Sequence, residues 1–357
     1  MTLEQCWHRV PGGTAVAALG MARGVRKRGG AELIGVAAAH RRPPAGWEPP
    51  VVVKHHLLPR RLLYESWHRL RWPNVESVTG PIDAVHATSL AIPPPEPRLI
   101  VTIHDLAWRH DRSHFTPHGV RFFERGFALT QAEANLVLCP SKATLEDCAR
   151  AGIERARLRL VPLGVDVERA SEDEVRAVRE RYGLTRGYVL WTGTVEPRKN
   201  LRRLLQAFVD VRDDVDLVLV GPKGWNEDLE PLVEPIRKRV RVLGFVPRSD
   251  LGPLYAGARL SCFPSLLEGF GFPVLEAMAQ ATPVVTSRGT STEELAGGDA
   301  ILVDPLDVSG IAAGIERVLE DDELATKLAE AGPERAARYS WARTADLLVR
   351  AYTEVKA

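Results

Sequence analysis

A chain of 357 residues is long enough for two domains, each with its own core. Its 47 basic and 46 acidic residues leave a net charge of +1, which excludes a global field inviting nucleic acid. Cys6, Cys139, Cys148 and Cys262 lie far apart without CxxC spacing, which argues for reduced thiols rather than a disulfide frame or a zinc site, and no apolar run approaches the roughly 20 residues that span a bilayer. With no signal-peptide pattern at its start, the chain is expected to be soluble and intracellular.

Taken in chain order, only MTLEQCW precedes the glycine loop HRVPGGT, so the first strand of the domain is either very short or truncated by a late start of the sequence. Thr14 to Arg28 reads as a helix, Leu33 to Ala38 as a strand, and Arg42 to Pro50 as a Pro-rich loop. Val51 to His55, Ala84 to His86 and Leu99 to Ile103 read as short strands. Val120 to Ala134 is expected to be helical, Leu136 to Cys139 a strand, and Lys142 to Ala151 a helix. Such alternation predicts a parallel sheet between helices. A linker falls at VPLGVD, residues 161 to 166, followed by a charged helix from Glu172 to Tyr182. A second alternation then begins, with strands at Tyr188 to Trp191, Leu217 to Val220, Val240 to Leu243, Leu260 to Phe263, Val284 to Thr286 and Ala300 to Val303. The fold class is therefore α/β, two doubly wound Rossmann-like domains: residues 1–165 and 166–341, with a terminal helix 342–357.

The densest chemistry lies in PSLLEGFGFPVLEAMAQATP, residues 264 to 283. Gly269 and Gly271 remove side chains where the backbone turns, so that successive N–H groups can face an anion at the start of the next helix. From Val274 the pattern VLEAMAQA is helical, and Gly271 with Pro273 marks its beginning, which puts Glu276 in the first turn. Glu268 stands just before the turn. One carboxylate for each of two hydroxylated groups, with anion donors between, describes a nucleotide-sugar site; by pattern alone the segment could also be a simple turn with a dipole partner.

A second constellation is WTGTVEPRKNLRRLLQAF, residues 191 to 208. Tyr188 to Trp191 is a buried strand, Gly193 opens a loop, and Leu201, Leu204, Leu205 and Phe208 have the spacing of an amphipathic helix. Arg198 and Lys199 thus fall at a strand-to-helix junction, where parallel sheets bind ligands beyond the carboxyl ends of their strands. Two cations at a helix N-terminus are disfavoured by the dipole unless an anion is near, and a diphosphate is such an anion.

At these residues the chain resembles a retaining glycosyltransferase of family 4, of the mannosyltransferase-like subgroup. The likeness runs through GTVEPRKNL, VRVLGFVPRSDLGPLYAGARLSCFPSLLEGFGFPVLEAMAQATPVVTS and GGDAILVDPLD to a terminal helix with a tryptophan, and is weaker in VPGGTA, VTIHDLAW and CPSKATLEDCARAGI. It implies the GT-B architecture, with the two domains facing across a cleft, the acceptor on the first and the nucleotide sugar on the second, and the terminal helix crossing back onto the first. It also implies catalytic roles for His104, Arg198, Lys199 and Glu268. Donor-binding positions would be Gly13, Gly193, Phe245, Gly269, Phe270, Gly271, Leu275 and Glu276, with Glu268 on the sugar and Glu276 on the ribose. Arg198, Lys199 and the Gly269 to Gly271 amides would stabilise the diphosphate leaving group, so no metal or other cofactor is expected. Same-face attack, with the departing phosphate taking the acceptor's proton, is the implied route.

Many relatives carry an arginine soon after the loop glycine, where this chain has Thr194 and Val195, which leaves open how Arg198 and Lys199 share the charge. The implied donors are GDP-, dTDP- and UDP-linked sugars, mannose favoured, and the acceptor is a glycan, a lipid-linked sugar or a small molecule. A cytoplasmic location with peripheral contact to the inner membrane surface would follow. A nucleotide-sugar epimerase of the same architecture and a non-catalytic partner of an active transferase remain alternatives. A nicotinamide dehydrogenase would need GxGxxG, a spacing that VPGGTA lacks.

Other residues carry weaker signals. His104 and Asp105 end a strand at the sheet's carboxyl edge. Gly12 and Gly13 suit close approach of a phosphate or merely a turn. His86 is expected to line the acceptor side. His110, His114 and His118 are spaced by four, but Pro117 interrupts a helix that could align them on a metal. Trp47, Trp67 and Trp72 fall in a loop-rich region where acceptors would bind and are expected to pack, and the GFVPRSDL segment to meet the nucleobase through backbone atoms.

Overall fold

The computed structural model describes residues 1–8, 11–96, 98–224 and 229–356, so Val10 of VPGGTA and Ala357 of the terminal helix lie outside the described residues. The chain separates into two compact units, Met1–Gly164 with Tyr339–Ala357, and Val165–Arg338. Among the described residues no helix is long and apolar enough to cross a membrane.

The first unit holds β1 (Gly35–Ala37), β2 (Val53–His55), β3 (Val85–Ala87), β4 (Leu99–Thr102), β5 (Leu136–Cys139) and β6 (Leu158–Leu160). β1 pairs with β2, and β3 to β6 pair in chain order, all parallel. Residues Met1 to Leu3 lie between the two groups: the Leu3 amide donates to Val36 and the Thr2 amide to His86, each at 2.9 Å. The place of a first strand is thus filled by three residues. β4 and β5 are buried along their whole length, as parallel strands covered on both faces must be, which is why both read as unbroken apolar runs. Their side chains join Val36, Val85 and Phe127 in one core.

Helix Gly13–Arg28 packs on the terminal helix Trp341–Lys356. Glycine permits the contact: a Cβ at Gly20 would stand 2.3 Å from the Trp341 ring, and one at Gly164 would stand 2.3 Å from the Trp341 nitrogen. Tyr352 on that helix hydrogen-bonds His86 Nδ1 at 2.9 Å, while Thr102 Oγ1 meets Nε2 at 2.8 Å. His86 is therefore a buried sheet residue with both nitrogens engaged, not a lining of the acceptor side. A second correction concerns Arg60–Leu70, which forms a helix where loops were expected. Its Leu63 and Trp67 point inward, Trp67 donating to the Pro73 carbonyl at 2.9 Å, whereas Trp72 is 62% exposed and does not pack.

The second unit carries β7 (Gly187–Thr192), β8 (Val215–Val220), β9 (Val240–Gly244), β10 (Leu260–Phe263), β11 (Val284–Ser287) and β12 (Ile301–Val303). They form one parallel sheet in the order β12-β11-β10-β7-β8-β9. The direction of winding reverses between β7 and β10. Loops leaving the carboxyl ends of two such strands diverge, and the crevice between them is where ligands of open α/β sheets bind.

Candidate active site

The two loops that flank this reversal are the two motifs. After β7 the chain turns at Gly193 (φ +155°), whose carbonyl is so close to Gly221 after β8 that a Cβ there would come within 1.8 Å. A single 3-10 turn, Pro197–Lys199, follows, and Asn200 in the left-handed region (φ +58°) starts helix Leu201–Ala207. The buried Asn200 amide donates to the carbonyls of Pro264 at 2.8 Å and Pro305 at 2.7 Å, tying together the loops after β7, β10 and β12. The Leu266 amide donates to the Arg198 carbonyl at 2.9 Å, and Ser265 Oγ lies 3.0 Å from the same oxygen.

These braces bring Arg198, Lys199 and Glu268 together. Lys199 Nζ donates to Glu268 Oε1 at 2.7 Å, Arg198 donates to Glu268 Oε2 at 3.0 Å, and Ser265 Oγ donates to Oε1 at 2.5 Å. Arg198 also donates to Glu196 at 2.7 Å and to the Leu267 carbonyl at 3.1 Å. Burial alone would raise the Glu268 carboxyl, but the charges of Lys199 and Arg198 and the hydrogen bonds from Lys199 and Ser265 outweigh it and hold the group below its ordinary value. A buried, ionised carboxylate with two cations on it is the result.

Gly271 (φ +113°) precedes helix Phe272–Ala279. Glu276 is the fifth residue of that helix, so it lies past the first turn rather than within it, because the helix begins two residues before Val274. Tyr255 OH donates to Glu276 Oε2 at 3.1 Å and lies 2.5 Å from Thr192 Oγ1 at the end of β7. Burial raises the Glu276 carboxyl, Arg248 and Tyr255 oppose, and Asp166 adds to the rise. Arg248 itself pairs with Asp166 at 3.0 Å. Leu275 and Phe270 turn their side chains into the protein, Phe270 edge-on to Phe272 at 5.2 Å, so either can serve a donor only through its backbone. Phe245, just beyond β9, is 55% exposed.

In the first unit, His104 follows β4 by two residues, with Nε2 3.0 Å from the Thr88 carbonyl and its own carbonyl accepting from Thr144 Oγ1 at 3.1 Å. Burial lowers its pKa, against the Thr88 carbonyl and Asp105. Asp105 accepts from the Ala107 amide at 3.0 Å, closing the turn. Gly12 and Gly13 lie exposed at the start of helix Gly13–Arg28, and a Cβ at Gly12 would meet nothing within 4 Å, so packing does not require glycine there. His110, His114 and His118 stand on three different elements and do not align; His110 pairs with Asp147 and His114 with Asp111. Sequence reasoning missed Tyr255, Glu196 and Ser265. Ser265 adjoins the glycine turn and could have been weighed as a partner of Glu268; nothing local marks Tyr255 or Glu196.

Comparison with known proteins gives this geometry its kin. The family model for Glycosyltransferase Family 4 matches residues 11–169, and that for Glycosyl transferases group 1 matches residues 186–321. O-antigen chain mannosyltransferase B of Escherichia coli is 34% identical over 283 residues, which cover 75% of this chain and 73% of that protein. The chain belongs to glycosyltransferase family 4. Alpha-D-kanosaminyltransferase of Streptomyces kanamyceticus is 29% identical and covered over 69% of both chains. Among solved structures, Anabaena Alr3699/HepE in complex with UDP and glucose superposes with a TM-score of 0.77 at 20% identity, over 99% of this chain and 98% of that one. WaaG, a glycosyltransferase involved in lipopolysaccharide biosynthesis, gives 0.74 at 16%, over 96% of each. At such identities the likeness shows the fold alone, and that fold is GT-B. The two parallel-stranded units of this family 4 member are thus the two Rossmann-like halves of a glycosyltransferase.

Proposed function

We propose that this glycosyltransferase moves a hexosyl group, mannose by preference, from a nucleoside diphosphate sugar to a hydroxyl of a glycan, lipid-linked or small-molecule acceptor, with retention at the anomeric carbon. The observation that carries the reading is the meeting of Lys199 and Arg198 with Glu268 at the reversal of the second sheet. A cation for the departing diphosphate and a carboxylate for sugar hydroxyls stand at one spot, and Glu276 lies beyond Gly271, one loop away, for the ribose. Breakage of the anomeric C–O bond sends its electron pair to the phosphate oxygen, where Lys199 and Arg198 meet the developing charge. The acceptor hydroxyl attacks the same face and passes its proton to that oxygen, so no protein base is needed. The reading keeps His104 as a catalytic residue. Fixed cations do here what a bound metal does elsewhere, and the reading includes no ion or other cofactor.

The mannosyl preference draws on the Escherichia coli relative. UDP and dTDP donors are the competing choices, and the Anabaena complex with UDP supports the first as a nucleotide. The four buried free thiols suit the reducing cytoplasm, and exposed Leu57, Leu62, Leu70 and Trp72 around an arginine-bearing helix suit contact with a membrane surface.

Incubation with GDP-mannose, dTDP-glucose and UDP-glucose tests this. Slow hydrolysis of one donor is expected, with α-configured sugar as the first product and little change on adding EDTA. Loss of activity with EDTA and its return with manganese would overturn the phosphate assignment. Conversion of the donor to its isomer would indicate an epimerase, and failure to bind any donor would indicate a non-catalytic partner.

A further inference from the structure

A second cluster lies in the first unit, at the carboxyl ends of three adjacent strand positions: the Met1–Leu3 segment, β1 and β2. A cavity of about 770 Å³ opens there, lined by Trp7, His40, Arg41, Arg42, Pro43 and His55. Its floor is built rather than incidental. The Glu4 carboxylate, 3% exposed, accepts from the Ala38 amide at 2.8 Å and from His40 Nε2 at 2.5 Å. His40 stacks on the Trp7 ring at 5.5 Å, and His55 meets the same ring edge-on at 5.3 Å. The Trp7 indole is pinned by donating to the Arg41 carbonyl at 2.8 Å.

The hydrogen bonds decide the chemistry each imidazole offers. His55 Nδ1 stands 2.7 Å from the Ala38 carbonyl, which can only accept, so Nδ1 carries the proton and Nε2 is left as an acceptor. In its neutral form His40 donates through Nε2 to Glu4, which leaves its Nδ1 as an acceptor. Two acceptor nitrogens beside an aromatic ring suit sugar hydroxyls. The rim supplies the opposite character: among the described residues the Arg41 and Arg42 guanidinium groups make no hydrogen bond or ion pair, and Glu4 is already satisfied.

We propose that this cavity receives the acceptor, and that the acceptor carries an anionic substituent, a phosphate or a carboxylate, bound by Arg41 and Arg42 while His40 and His55 accept from its hydroxyls. The inference deepens the transferase reading and rests on it. A neutral sugar would leave both exposed guanidinium groups to water, whereas either anion takes paired N–H donors from them.

The full chain is titrated calorimetrically with mannose 6-phosphate, methyl glucuronide and neutral methyl mannoside, while proton NMR follows the imidazole resonances. Binding of at least one anionic glycoside, about tenfold or more tighter than methyl mannoside and shifting the His40 and His55 signals, is expected. Preference for the phosphate or for the uronide then names the anion. R41A/R42A, both changes at exposed positions, should weaken that binding by about tenfold or more. Equal affinity for the neutral sugar, or unchanged affinity in R41A/R42A, would overturn the proposal. Titration with GDP and UDP on the same samples keeps the two readings apart: absence of any nucleotide binding sinks the transferase reading, while nucleotide binding without anion preference sinks only this one.

Discussion

Arg198 and Lys199 are adjacent in the chain and both touch Glu268, yet their donors are spent differently. The Arg198 guanidinium is committed to Glu268, Glu196 and the Leu267 carbonyl, so it braces the loop after β10 against the loop after β7. Lys199 Nζ has three N–H donors and, among the described residues, directs one to Glu268. Lys199 therefore has a larger share of its N–H donors to offer a phosphate than Arg198. Lys199→Ala should lower turnover on the order of a hundredfold and, because Glu268 loses a buried partner, melt cooperatively at a lowered temperature, and Arg198→Ala should lower both turnover and melting temperature further through the loss of the loop brace. Turnover within a few-fold of the parent in Lys199→Ala, measured by donor hydrolysis, would assign Lys199 to structure alone. The substitution also has a pH signature. Glu268 is held below its ordinary pKa partly by Lys199, so its ionised form contributes stability above the unfolded value that is lost as pH falls through the folded one. Without Lys199 the folded pKa rises, and acid unfolding should begin at a higher pH. Both motifs were legible locally, since glycine turns and a cationic junction are written in short runs of sequence. That Lys199 meets Glu268 across 69 positions was not, because no period or spacing encodes a loop-to-loop contact.

At the scale of elements, the site depends on where helix Phe272–Ala279 begins. Gly271 adopts φ +113°, and a Cβ there would stand 2.8 Å from Thr292 Cγ2, so both backbone and packing require glycine. Gly271→Ala should cost on the order of 1–3 kcal/mol and weaken nucleoside diphosphate binding, because the helix start carries Glu276 with it. Gly252→Ala is the control: its Cβ would lie 3.6 Å from Gln280 inside helix Arg248–Ala256, and it should be neutral or stabilising. Denaturant titration of both variants checks this, and equal stabilities would show that the glycine is not needed there. β5 and β10 were readable to the residue because each is a short run, apolar but for Ser261, bounded by polar or Pro-containing turns. Helix Arg60–Leu70 was not, for it starts at Arg60 after Pro59 without a side-chain cap, and its inward Leu63 and Trp67 give only one turn of apolar spacing. Tyr255 was hidden for a related reason: its tie to Glu276 joins two helices, and neither helix signals it.

The whole molecule divides unequally in what each unit needs from the chain. Val165–Arg338 is one continuous stretch with all six strands of its sheet. The first unit is discontinuous and takes Trp341–Lys356 into its core: the Trp341 ring fills the notch at Gly20, Thr344 Oγ1 donates to the Pro162 carbonyl at 2.8 Å, and Tyr352 satisfies His86. Removing that helix would uncover the apolar face of helix Gly13–Arg28 and leave a buried imidazole nitrogen without its partner, each a large term against a marginal stability. A fragment of residues 165–338 should accordingly melt cooperatively by itself, and at 100 times the dissociation constant a nucleoside diphosphate should stabilise it by about 2.7 kcal/mol, or roughly 5–10 °C. A fragment of residues 1–164 should show no cooperative melt until a peptide of residues 339–356 is added. Differential scanning calorimetry on the two fragments, with and without peptide or nucleotide, decides the matter. A cooperative transition in residues 1–164 alone would mean that the terminal helix only decorates the first unit, and failure of residues 165–338 to respond to nucleotide would place donor recognition elsewhere than on the second sheet.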